Sequence, residues 1–289
     1  MKGFLLAALA AALYGTNPLF AVPLYGTGMN PASVLLFRYL LGVPLLALML
    51  IMRSEGLLLH GHQILQVSIL GIVMGISSLA LYESYACMNP GIASTLLFMY
   101  PLFTAVIMTV FFHEKFRLVT GASLTLMFIG LYLLMRPGEG GEFNLAGFIW
   151  IFISSLTYAI YLVMIKVSPT LQTIPNLQSL MLQLVSGSLV FVVAFLFGQK
   201  LVMPDTLMQG GNLLCIALFP TVLSLLLTIR AIKMIGPTPT ALFGALEPIT
   251  AVVISVLVLG ETITFVESIG ALLIVLATML IMFGDRSPA

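Results

Sequence analysis

Ten apolar runs, at approximately 3–24, 31–52, 65–87, 91–112, 118–136, 145–166, 175–198, 211–234, 238–259 and 265–283, take up nearly the whole chain. Each is long enough to cross a hydrocarbon core of about 30 Å. Lipid offers no partner to backbone N–H and C=O groups, so the predicted fold class is all-α and integral to a membrane, with ten transmembrane helices. The connections are short, the longest being Arg136 to Asn144 (RPGEGGEFN) at the midpoint. This stretch reads as a linker over 138–144 between a first five-helix repeat, 1–137, and a second, 145–289.

Composition excludes the main alternatives. Hydrophobic residues make up 61% of the 289 and charged residues only 7%, with a mean hydropathy of +1.18. So few charges cannot clothe a water-soluble surface. A net charge of +1 lacks the concentrated basic face that nucleic acid demands. Cys87 and Cys215 both lie in apolar runs and read as small apolar residues, because two such thiols make neither a zinc site nor a disulfide framework. No EF-hand, HExxH or clustered Asp pattern appears, so no metal or other cofactor is expected.

The chain is also written twice. Residues 86–114 lie over 233–261 without a gap, matching Pro90 to Pro237, Pro101 to Pro248, Val106 and Ile107 to Val253 and Ile254, and Glu114 to Glu261. Gly147, Phe148 and Tyr158 likewise repeat Gly3, Phe4 and Tyr14, so the first run reads as a crossing of the bundle rather than as a cleaved signal peptide. Lys2, Arg53, Lys115, Arg117, Lys166, Lys233 and Arg286 fall on one side, against Arg136 and Lys200 on the other. The excess of cations predicts cytoplasmic N- and C-termini in a cell inner membrane. Five helices per copy then make the copies inverted. Paired inverted halves can exchange conformations, which is a physical route to alternating access.

The stretches FRYLLG in the second run, YACMNPGIASTLLFMYPLFTAVIMTVFFHEKF around the fourth and AIKMIGPTPTALFGALEPITAVVISVLVLGETITF around the ninth resemble the drug/metabolite transporter superfamily, EamA-type. The most specific elements are Pro101 with Pro248, Glu114 with Glu261, and Arg38. The resemblance covers essentially the whole chain. It implies ten helices in two inverted repeats, export of small metabolites and amino acids, and a cavity lined mainly by helices one, three, four, six, eight and nine. Tyr14-Gly15 replaces the Trp-Gly of many relatives, and the acidic residue in helix three is not a general feature of the family.

Charges inside apolar runs are the first candidates for chemistry. Arg38, Glu83, Arg230 and Glu247 sit well within their runs, where a charge costs about 2.5–3.5 kcal/mol on insertion scales. Glu83 aligns with Arg230 under a 147-residue offset, so a pair of opposite sign facing one cavity can hold a zwitterion or bridge itself. Arg38 reads first as a structural ion, and Arg230 reads equally as a side chain snorkelling toward cytoplasmic phosphates. Carboxylates are too short to reach water, so Glu83 and Glu247 are the stronger functional candidates. A carboxyl deprived of water can take up a proton. Competition between proton and substrate at such a group would couple their opposite movements.

Tyr14, Tyr82, Tyr85, Tyr100 and Tyr158 lie on the helices expected to enclose the cavity, and a tyrosine suits a partly apolar substrate with polar groups. Belt and packing roles account for some of them. Asn17-Pro18, Pro101 and Pro248 each remove a donor within an apolar run, and are read as gating kinks. Gly71 and Gly75 form a GxxxG step for close helix approach. The resulting expectation is a transporter, not an enzyme, exporting small amphiphilic metabolites such as amino acids or related zwitterions, as a monomer or homodimer. The alternatives are an intramembrane enzyme on lipid-linked substrates and a phosphorylated-sugar carrier. The first wants a polar catalytic cluster at a membrane-facing loop, and the second several converging cations.

Overall fold

The computed structural model describes residues 1–53, 59–87, 96–134, 145–247, 249–250, 253 and 265–284, with no strand among them. Its helices are α1 (Lys2–Tyr14), α2 (Asn17–Gly26), α3 (Pro31–Met52), α4 (Gly61–Cys87), α5 (Tyr100–Phe112), α6 (Leu118–Leu134) and α7 (Leu145–Val167). They continue with the short α8 (Pro169–Thr173), α9 (Asn176–Leu196), α10 (Leu207–Ile216), a π-helical segment (Ala217–Leu223), α11 (Ser224–Ile235), α12 (Pro237–Phe243) and α13 (Phe265–Gly284). Among the described residues, six stretches are long and apolar enough to cross a membrane: Lys2–Gly26, Pro31–Met52, Gly61–Ser84, Leu145–Val167, Asn176–Leu196 and Leu207–Ile235. Shorter apolar helices accompany them. Leu5, Phe111, Leu118 and Leu207 are among many large apolar residues on the outside, which is the surface that lipid rather than water would cover.

Three departures from continuous helices have local causes. The first run breaks after Tyr14, at Gly15-Thr16, and resumes as α2 with a proline in its first turn. Pro101 lies in the first turn of α5 rather than in a helix middle. Having no N–H, it leaves the Leu97 carbonyl without its helical donor, and Ser155 Oγ on α7 donates to that carbonyl at 3.0 Å. Pro220 lies inside the π-helical segment, where the Ile216 carbonyl accepts from Thr221 Oγ1 at 2.8 Å. Pro248 lies outside the described residues, and so do the side chains of Pro18 and Tyr85.

Small residues and hydroxyls join the helices. An added Cβ on Gly71 would stand 2.4 Å from the Gln183 carbonyl oxygen, and one on Gly75 2.8 Å from that of Gly187. The GxxxG step therefore lets α4 meet α9 backbone to backbone. Gly130 meets Gly270 in the same way, joining α6 to α13. Ser77 Oγ on α4 donates to the Ser154 carbonyl of α7 at 3.0 Å, and Ser154 Oγ returns a bond to the Ser77 carbonyl at 2.8 Å. Ser224 Oγ on α11 donates to the Ala10 carbonyl of α1 at 2.9 Å. Without water, each hydroxyl needs such a partner.

Candidate functional site

Glu247, Tyr14, Tyr100 and Tyr158 converge where α1, α5 and α7 meet the segment after α12. All four line both of two adjoining small cavities. One cavity continues along Ala7, Ala10, Ser224, Thr228, Thr240 and Gly244. The other runs past Met74, Ser77, Ser78 and Ser154. Each holds about 20 Å³, room for one water and far below the 300–1,000 Å³ typical of small-molecule sites. The conformation is closed around these residues.

Local sequence explains how the cluster forms. A Cβ on Gly15 would lie 2.6 Å from the Glu247 carbonyl oxygen, so the break after α1 lets backbone meet backbone beside the carboxylate. Gly244 has a similar part. A Cβ there would stand 1.6 Å from the Tyr100 hydroxyl, so this ring fits only over a glycine. Tyr100 meets Tyr158 edge-on with ring centroids 4.8 Å apart, and Tyr158 stacks on Tyr161 at 5.9 Å. Tyr161 is pinned in turn by its hydroxyl, which donates to Gln183 Oε1 at 3.1 Å. Tyr14 lies under Arg38, whose guanidinium carbon is 5.4 Å from the ring centroid. This is cation–π distance.

Arg38 is 2% exposed, and its contacts tie α3 to the π-helical segment. Nε donates to Thr221 Oγ1 at 2.6 Å and Nη2 to the Pro220 carbonyl at 3.4 Å. It thus shapes the wall behind Tyr14. No hydrogen bond or ion pair among the described residues engages the Glu247 carboxylate. An acceptor-only group among three aromatic rings, with no cation bound to it, is suited to a positively charged or hydrogen-bond-donating guest.

The other sequence candidates fall elsewhere. Glu83 accepts a hydrogen bond from Gln199 Nε2, and both residues line an outer groove of about 530 Å³ with Trp150, Leu189 and Phe197. Arg230 is exposed on α11 and lines a different cleft beside Arg53 and Lys233. The expected Glu83–Arg230 pair therefore does not face one cavity. Tyr82 is buried and packs edge-on against Tyr25 at 6.2 Å. Asn17 has its Oδ1 buried and accepting no hydrogen bond.

Gly244, Thr240, Ser224 and Thr228 line the site and were not picked out by sequence reasoning. Their signal was present in part. The 147-residue offset that relates Glu83 to Arg230 also carries Tyr100 onto Glu247 and Ser77 onto Ser224.

The EamA-like transporter family matches residues 1–136 and again 145–283. The chain belongs to this family. An uncharacterized transporter of Clostridium kluyveri is 23% identical over 96% of this chain and 92% of its own length. The uncharacterized transporter YyaM of Bacillus subtilis is 25% identical over 91% and 88%, and the uncharacterized transporter sll1319 of Synechocystis is 26% identical over 76% and 67%. A solved structure, described as a crystal structure of a protein, superposes with a TM-score of 0.83 over 98% of this chain and 97% of its own at 14% identity, a likeness of fold alone. As an EamA-like protein, the chain is a multi-pass membrane transporter with a small-molecule substrate, and these matches point away from an enzyme.

Proposed function

We propose that this EamA-like transporter exports small amphiphilic metabolites bearing an amino group, amino acids and related zwitterions foremost, by alternating access, and that Glu247 exchanges such a substrate for a proton. The observation that carries this reading is the Glu247 carboxylate, without a partner among the described residues and enclosed by Tyr14, Tyr100 and Tyr158. A carboxylate attracts an ammonium group, aromatic faces accept its apolar part and its charge, and tyrosine hydroxyls meet the remaining polar atoms. Binding the proton or the substrate, but not both, couples their movements in opposite directions. Arg38 backs this centre through its contact with the Tyr14 ring.

The same proposal includes ten crossings in two inverted halves, 1–137 and 145–289, joined by 138–144, in the inner membrane with both termini cytoplasmic. Two things support it: the family matches each half separately, and the helix contacts are reciprocal between halves. The break at Gly15-Thr16 ahead of Pro18, together with Pro248, supplies the bending points that let the closed centre open to either side.

Proteoliposomes loaded with a mixture of labelled amino acids and amines test the substrate and the coupling together. Wild-type protein is expected to release particular labelled solutes saturably, faster when a pH gradient drives protons the opposite way. Glu247→Gln is expected to abolish the response to the gradient. Saturable release that ignores pH in both proteins would refute proton exchange, and no release of any amine-bearing solute would refute the substrate class.

A further inference from the structure

We propose that the cleft between α1, α3, α9 and α11 is a binding site for a phospholipid with an anionic headgroup. The cleft encloses about 670 Å³ and is lined for most of its length by Leu9, Leu13, Met49, Leu223, Leu226 and Leu227. At one end this trough meets three cations, Arg53, Arg230 and Lys233, and none of its described lining residues is acidic. The chemistry divides along the long axis, apolar wall first and basic rim last. An acyl chain followed by a phosphate has the same order.

The cations are available in different ways. Arg53 and Arg230 are exposed, and no described residue forms an ion pair with either side chain. Lys233 is held: its Nζ donates to the Ile174 carbonyl and to Asn176 Oδ1, each at 2.9 Å, leaving one of its three donors for a ligand. A fixed ammonium together with two exposed guanidinium groups makes a cradle for a phosphodiester, in which each arginine can present two parallel donors. Arg53 closes the second apolar run and Lys233 the eighth, so both lie at the cation-rich end of the bundle. Basic pockets between membrane helices on such a face hold anionic lipid headgroups. Leu9 is 48% exposed, which leaves the trough open sideways so that a chain can enter from the bilayer.

The site borders the candidate centre. Leu9 and Leu13 belong to the helix that carries Tyr14, and Leu223 joins the π-helical segment to α11. A lipid seated there would brace α1 and α11 against α3 and α9, and so favour one conformation of the carrier.

Native mass spectrometry of the full chain, exchanged from nanodiscs of equal phosphatidylglycerol and phosphatidylcholine, tests the assignment. Wild-type protein is expected to retain phosphatidylglycerol selectively, and the double variant Arg53→Gln, Arg230→Gln to lose about twenty-five-fold of that preference, at about fivefold for each cation near an anionic surface. Lys115→Gln, at the same end but outside the cleft, is expected to keep it. Glycerol 1-phosphate at millimolar concentration should not displace the lipid, because it lacks the chain that fills the trough. An undiminished preference in the double variant, or an equal loss in Lys115→Gln, would overturn the site. Displacement by the soluble phosphate would replace the lipid with a free anionic solute. Circular dichroism matched to wild type ensures that the variants are compared as folded proteins.

Discussion

Ser224 on α11 donates its hydroxyl to the Ala10 carbonyl of α1 at 2.9 Å, and the same bond recurs in the first half. Ser77 lies 147 residues before Ser224, Ala10 lies 144 before Ser154, and Ser77 Oγ donates to the Ser154 carbonyl at 3.0 Å. The two offsets are those of the sequence repeat, so equivalent residues hold equivalent helix pairs. The site obeys the same relation, since Tyr14 corresponds to Tyr158 and Tyr100 to Glu247. One substitution, tyrosine in one copy and glutamate in the other, places a single acid in an otherwise paired aromatic centre.

That reciprocity leads to the first prediction. If the halves exchange conformations, Ser77→Ala and Ser224→Ala weaken corresponding bonds on opposite sides of the centre. Each is expected to cost about 0.6 kcal/mol, an average interhelical hydrogen bond in a membrane protein. Accessibility of an engineered cysteine at the cavity, read by a membrane-impermeant reagent from each side, should change in opposite directions. A shift of the same sign in both variants would argue against inverted exchange.

Glu247 and Glu83 separate two roles for a carboxylate within an apolar run. Glu247→Gln removes a charge that no partner among the described residues uses, so the fold is expected to persist while amine transport falls about tenfold or more, the loss of a charged hydrogen bond worth about 1.5–3 kcal/mol. Glu83 instead sits with Gln199 in the outer groove. Glu83→Gln is expected to leave transport within about twofold of wild type, because one bond between neutral side chains can replace the other. Initial rates at saturating substrate, alongside thermal unfolding in detergent, measure both effects.

Gly244 and Tyr100 should behave as a unit. In Gly244→Ala the new methyl collides with the Tyr100 hydroxyl, so the ring must leave the site and the apparent KM is expected to rise. Tyr100→Phe deletes the colliding oxygen, although the ring carbon behind it would still lie 2.9 Å from the new Cβ. The double variant should therefore recover part of the lost affinity, a non-additivity typical of residues in contact. Additive losses would mean that the two residues affect transport separately.

The broad class was legible because composition and run length depend on lipid alone, which makes few local exceptions. The site was legible only in part, and Glu83 with Arg230 explains why. Under the proposed inversion, a matched pair in the sequence meets in space only if both members lie near the middle of the bundle. Glu83 lines one groove and Arg230 a separate cleft, whereas Tyr100 and Glu247 share the two central cavities. Pro101 carries the same lesson. Its missing donor predicted a bend, but it sits in the first turn of α5, and the freed Leu97 carbonyl is taken by Ser155 from another helix. Nothing in the local pattern around Pro101 points to a serine 54 positions onward. The π-helical segment at Pro220 was missed for a similar reason, because its partner Arg38 comes from far earlier in the chain.

The close approach of α4 and α9 yields the last prediction. A Cβ on Gly71 would stand 2.2 Å from Ser186 Oγ and 2.4 Å from the Gln183 carbonyl oxygen, while one on Gly187 would meet the Tyr39 ring at 2.7 Å. The serine hydroxyl can rotate, but the carbonyl belongs to a helix and cannot yield without moving α9. Gly71→Ala is therefore expected to cost about 1–3 kcal/mol, the usual penalty for overfilling a packed interior. Gly210→Ala has open space around it and should be neutral or slightly stabilising through helix propensity. Thermal unfolding in one detergent compares the two directly. If Gly71→Ala melted with wild type, the contact between α4 and α9 would be looser than these distances require. Gln183 adds a second readout: it accepts from the Tyr161 hydroxyl, and Tyr161 stacks under Tyr158, so a displaced α9 should also weaken substrate binding at a centre that Gly71 never touches.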